Sequence, residues 1–181
     1  MTTIATERRD AFRLRMAGNV WRDYARILLP TEKLSARQKV VELFRESTRL
    51  ARLDANGVKA ELPPSLEDGA WGMVELGDSQ RDAGQLKEAG ATFCEALSLV
   101  SERASLVGPE QLSDLTFQHR AIRNSFADFL IQQTRMDEAR EQVEQLAKEL
   151  QQLEAAPGTK ADVIEQTRKT LTGLRSRLPA P

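Results

Sequence analysis

A small or branched apolar residue followed four positions later by a bulkier apolar one occurs at Val40-x3-Phe44, Ala89-x3-Phe93 and Ala139-x3-Val143, at steps of 49 and 50 residues. No other feature constrains the fold as much. One helix hairpin cannot bury its apolar face alone, so evenly spaced copies predict hairpins that stack and complete each other's cores. The residues between the copies fit helices. Only 5% of the chain is aromatic, Ala, Leu, Glu, Gln and Arg dominate over β-branched residues, and no stretch alternates like a strand.

Glycine and proline set the expected boundaries. A first helix runs from about Thr6 to Leu29, where Pro30 should stop it; Ser35, with Gln38 as capping-box partner, opens a second that ends at Asn56-Gly57. Ser65 with Asp68 caps a third helix reaching about Asp82, and Gly84 turns the chain into a fourth, Leu86 to Leu106. After Gly108-Pro109 come a fifth helix, Glu110 to Gln133, a turn at Thr134-Arg135, and a sixth ending near Ala155. Pro157-Gly158 precedes the last, Ala161 to Leu178. The expectation is a single all-α domain over 1–181, with elongated antiparallel hairpins at about 6–54, 66–106 and 110–155 and a capping helix at about 161–178.

The middle unit, Met73-x2-Leu76-Gly77-x2-Gln80 … Gly84 … Ala89-x3-Phe93-x2-Ala96, resembles the tetratricopeptide repeat, W-x2-L-G-x2-Y followed by A-x3-F. Phe126-Ala127 … Ala139-x3-Val143 follows the scheme less cleanly, and Trp21 to Leu53 weakly. Met73 and Gln80 replace the family's large aromatics, and a period near 50 exceeds the usual one of about 34, hence the expectation of elongated helices. The resemblance implies a superhelix whose first helices line a concave groove for a partner peptide or helix. On those helices Trp71, Val74, Asp78 and Arg81, then Asn124 and Asp128, would face the groove, Trp71 as an aromatic anchor and the two aspartates making it acidic. Members that grip a chaperone's terminal carboxylate use lysine, asparagine and arginine; Val74, Asp78, Ala121 and Ser125 stand at the corresponding places, so that role is disfavoured.

Little in the chain suggests chemistry. There is no H-E-x-x-H, G-x-S-x-G, P-loop or G-x-G-x-x-G, and a single cysteine and a single histidine exclude an internal disulfide and a multi-histidine metal site. Cys94 reads as a small core residue beside Phe93. His119 falls on the apolar seam Leu112, Leu115, Ile122, Phe126, Phe129 and reads as a neutral imidazole with one hydrogen bond, or as a groove contact. The pairs Asp137-Glu138 and Glu141/Glu144 read as an ion-paired surface. The expected function is therefore non-catalytic protein–protein interaction, without cofactor or metal. The absence of a long apolar run or leader-like segment predicts a cytoplasmic protein.

Charge offers an alternative. Residues 1–60 carry 13 Lys and Arg against 7 Asp and Glu, whereas residues 61–181 carry 13 against 20. Arg8, Arg15, Arg22 and Arg26 form one helical stripe that could grip phosphates, which makes a nucleic-acid-binding regulator the runner-up. With Phe12, Met16, Val20, Tyr24 and Ile27 read as a buried face beside the stripe and no stacking aromatics, pairing with acidic neighbours or with a partner is favoured over nucleic acid. A self-assembling subunit is the third reading. Met136, Ala139, Val143, Leu146, Leu150 and Leu153 form a heptad-like seam facing Val163, Thr167, Leu171, Leu174 and Leu178, and would make a homodimer if the last helix left it uncovered.

Overall fold

The computed structural model describes residues 2–53, 61–108, 111–155 and 159–179, without the side chains of 2–9, 112 and 113. The expected breaks at Asn56-Gly57, Pro109 and Pro157-Gly158, and the side chains of Arg8 and Leu112, lie outside the described residues. The described chain is all-α, with seven helices: α1 (Thr2–Ile27), α2 (Pro30–Leu53), α3 (Leu62–Asp82), α4 (Leu86–Ala104), α5 (Leu112–Gln132), α6 (Met136–Ala155) and α7 (Ala161–Arg175). No helix among the described residues is long and apolar enough to cross a membrane.

Two helix starts differ from expectation for one reason. Pro30 does not merely stop α1; it is the first residue of α2, where a missing N–H costs nothing, and the Leu29 carbonyl accepts from Glu32 and Lys33. Ser35 and Gln38 consequently lie inside the helix. Pro63 and Pro64 likewise occupy the first turn of α3, so the helix begins before Ser65, whose N–H donates to the Glu61 carbonyl. Ser65 is buried instead of capping, its hydroxyl 3.0 Å from that of Ser47.

The chain divides into two compact units, Met1–Val107 and Gly108–Pro181. In the first, α1 pairs with α2 and α3 with α4, and α2 packs on α3. Phe44 of α2 is fully buried at the centre. A Cβ on Gly18 of α1 would lie 2.5 Å from its Cε1, and one on Gly72 of α3 would lie 2.8 Å from its Cδ2, so two glycines clasp opposite edges of the ring. Phe93 of α4 fits under Gly77 of α3 in the same manner, at 3.0 Å.

This clasp overturns the expected burial of α1. The covered stripe is Ala11, Gly18 and Ala25, a seven-residue repeat of small side chains, while Phe12 (46% exposed), Val20 (69%), Tyr24 (47%) and Ile27 (81%) face outwards. The large residue at the α1–α2 contact comes from α2, and α1 must bring its least bulky face to admit it.

In the second unit α5 and α6 form a hairpin and α7 packs on both. Ala127, Val143, Leu146 and Leu150 form the core with Leu171 and Leu174 of α7. The seam considered for a homodimer is thus closed by α7.

The turns of the two hairpins repeat at a spacing of 50 residues. Gly84 (φ 76°) and Thr134 (φ 55°) both take the left-handed conformation. Their N–H groups donate to the carbonyls of Arg81 and Ile131, and those of Gln85 and Arg135 donate to Gln80 and Leu130. The 50-residue period in the sequence therefore corresponds to one local structure used twice.

Candidate functional site

Three surfaces follow from the candidate residues. The first is the arginine stripe of α1. Arg15 Nε lies 3.1 Å from Glu61 Oε2 and its Nη1 3.2 Å from Asp68 Oδ2, which also accepts from Asn19 Nδ2 at 3.0 Å. Arg22 lies 3.7 Å from Asp68 and Arg26 3.5 Å from Glu75, while Arg37 of α2 reaches Glu75 from the other side. Glu61, Asp68 and Glu75 repeat every seven residues, as Arg15 and Arg22 do with Arg26 one turn further on, so two stripes on parallel helices form one ladder. Burial holds the Arg37 guanidinium below its ordinary value, and nearby Arg26 and Arg22 add to the effect. The charge asymmetry of the sequence is resolved here: basic residues of the N-terminal half meet acidic residues of α3.

The second is the expected groove. Its residues belong to different compact units, with Trp71, Val74, Asp78 and Arg81 in one and Asn124 and Asp128 in the other. α3 is packed by α1, α2 and α4, and leaves a strip on which Glu67, Trp71, Glu75 and Asp78 are partly exposed. Val74 is buried, contrary to its expected outward placement. The acidic groove also needs correction, because each aspartate already meets an arginine. Asp78 lies 2.9 Å from Arg81, one helical turn on, and Asp128 pairs with Arg177, which the end of the α7 segment brings alongside α5. Asn124 is exposed.

The third is the outer face of α1, which the sequence reading assigned to the core. Phe12, Val20, Tyr24, Ile27 and, beyond the helix end, Leu29 are exposed on it, and Trp21 meets Tyr24 edge-on at 5.6 Å between ring centroids. The sequence did hold a signal for this orientation. Ala11, Gly18 and Ala25 were visible as a small-residue stripe, but nothing local said that a distant phenylalanine would require it.

Cys94 and His119 also differ in their surroundings. Cys94 is exposed on α4, one position round from the buried Phe93, and is not a core residue. His119 is largely buried, with Nδ1 3.5 Å from Glu149 Oε1 and Nε2 buried without a hydrogen-bond partner. Glu149 Oε1 also accepts from Arg123 Nε at 2.9 Å, and Arg123 Nη1 donates to Gln142 at 2.8 Å. Burial pushes the imidazole below its ordinary value despite the upward pull of Glu149, and Arg123 pushes it lower. The fold thus favours neutral His119, while the unfolded chain takes up a proton near about pH 6.5. The unfolded state binds more protons there, so stability present above about pH 6.5 is lost as pH falls towards the folded-state value. Urea titrations between about pH 7.5 and 5.5 are expected to show that loss, and His119→Gln to flatten it. An unchanged slope in the variant would contradict this assignment.

Comparison with known proteins finds no matching family model, no matching curated protein and no matching solved structure.

Proposed function

We propose that the chain is a non-catalytic, cytoplasmic interaction scaffold whose tetratricopeptide-like hairpins hold an apolar or amphipathic helix of a partner protein. The outer face of α1 carries the reading. Solitary exposed apolar residues are ordinary, but Phe12, Val20, Tyr24 and Ile27 recur at steps of eight, four and three on one helix, a spacing that keeps one face and matches helix-in-groove recognition. Trp71 and Asp78 lie on the same side of α3 as Asp68 and Glu75, so their strip flanks the ladder that ties α3 to α1. Aromatics beside a satisfied charged ridge provide an apolar anchor and a polar rim. Of the arginines of the alternative nucleic-acid reading, Arg15, Arg22 and Arg26 are engaged with acidic residues of α3, which favours the protein-binding reading.

The test is selection of amphipathic helical peptides against the intact chain, followed by titration of the selected peptides with Val20→Asp/Ile27→Asp. Because both positions are exposed, the variant should keep its stability within about 0.5 kcal/mol. It should bind the peptides at least about ten-fold more weakly. Equal binding by the parent and the variant would move the site away from α1. Sedimentation at increasing concentration distinguishes a second copy as the occupant, and concentration-dependent mass lost in the variant would favour the self-assembling reading.

A further inference from the structure

The last helix is built less firmly than the one it covers. α6 consists mostly of Ala, Leu, Glu, Gln, Lys and Arg, the residues that hold a helix best. α7 is 15 residues long and carries three threonines and a glycine. Each threonine hydroxyl donates to the carbonyl four residues earlier, Thr167 to Val163 at 2.7 Å, Thr170 to Gln166 at 3.0 Å and Thr172 to Arg168 at 2.9 Å, a pattern that loosens helices. Gly173 has no packing reason to be glycine. A Cβ there would meet nothing within 4 Å among the described residues, whereas at Gly18, Gly72 and Gly77 it would meet a phenylalanine ring. Helices of this length are marginal in water, so α7 depends on docking to keep its form.

The docking is uneven as well. Leu171 and Leu174 share a core with Val143, Leu146 and Leu150 of α6, and Ile164 and Leu178 are partly covered. Thr167, fully buried between Ile164 and Leu171, places a hydroxyl where the spacing of this face calls for an apolar side chain. The ion pairs that tie the segment to α6 and α5, Arg168 with Glu154 at 2.7 Å and Arg177 with Asp128, lie at the surface, where such pairs contribute little and salt screens them. Departure of α7 would leave α6 helical and uncover its apolar seam. The occupant whose fit to that seam the structure displays is α7 itself.

We propose that α7 is a releasable cap, which leaves the α5–α6 hairpin as a unit, and that the seam it uncovers receives α7 from a second copy of the chain. The exchange rebuilds the same contacts between two molecules and needs no further surface. It does not depend on the partner-binding face, which lies on α1. Amide hydrogen exchange of the full chain tests the release: α7 amides are expected to exchange together, at least about ten-fold faster than the slowest amides of α6. Gly173→Ala, which meets no neighbour, should slow α7 about five-fold. A labelled peptide of residues 159–181 stands in for the second copy's α7. It should bind the full chain saturably, at least about ten-fold more tightly in Leu174→Ala, whose own α7 docks poorly, and about five-fold more weakly in Gly173→Ala. The same peptide with Leu171→Asp should not bind. Sedimentation of the full chain at concentrations approaching about 1 mM should show dimers that Val20→Asp/Ile27→Asp leaves unchanged. Exchange of α7 no faster than that of α6, peptide affinity that ignores Leu174→Ala and Gly173→Ala, or absence of dimers would each overturn the proposal. Dimers that become more abundant in Leu174→Ala would show that seam meets seam, and would overturn it too.

Discussion

Phe44→Ala is expected to lower the unfolding free energy by about 3–5 kcal/mol, the largest effect of any single truncation in the first unit. The ring is fully buried, and two helices are shaped around it through Gly18 and Gly72. Those glycines cannot approach each other to fill the void, because the helices carrying them are also held by the ladder between α1 and α3. The same geometry makes Gly72→Ala unfavourable. Alanine should gain about 1 kcal/mol of helix propensity, yet a Cβ 2.8 Å from Phe44 Cδ2 and 3.0 Å from Cε2 forces either the ring or the helix to move, at about 1–3 kcal/mol. Urea denaturation of Gly72→Ala, Phe44→Leu and the double variant forms the check. Gly72→Ala should destabilise the parent but be neutral or stabilising beside Phe44→Leu, with a coupling of at least about 1 kcal/mol. Additive effects would show that the ring is not clasped.

Asp68→Asn is expected to cost about 2 kcal/mol, far more than a surface charge change. The Asp68 carboxylate is mostly buried and faces Arg15, Asn19 and Arg22. Asparagine keeps the shape, but it turns one acceptor into a donor that must point either at Arg22 or at Arg15 and Asn19 together. The loss should persist in high salt because the group is shielded from solvent, unlike that of the exposed Asp23–Arg26 pair, which ions screen. Urea midpoints for Asp68→Asn, Arg15→Met and their combination measure it. A double variant more stable than Asp68→Asn alone would show that the penalty comes from stranded charge, whereas a change below about 0.5 kcal/mol would show that the ladder contributes little.

Much of this was legible before the tertiary structure. The helix-forming composition, the turn at Gly84, the recurrence near 50 residues and the seam of α6 all reflect interactions within a few residues, or a repeated local conformation. At Thr134 the left-handed turn recurs without glycine, so the period proved a better guide than residue type. The heptad-spaced acids Glu61, Asp68 and Glu75 were visible beside a basic stripe of equal spacing, although only the approach of α1 to α3 identified them as its partners.

Local pattern failed where burial depended on a distant residue. On α1 the bulkiest apolar face looked like the core, but Phe44 arrived from α2 already large enough to fill the gap, and the chain met it with Ala11, Gly18 and Ala25. Val74 and Cys94 were misplaced for a related reason: helical periodicity locates a residue on a circumference, but not the arc that neighbouring helices cover. The amino-acid sequence by itself determined which segments are helical and where the hairpins turn, because propensity and turn geometry act over a few residues. The tertiary structure alone decided which faces meet and which charges pair, because both depend on side chains brought together from helices far apart in the chain.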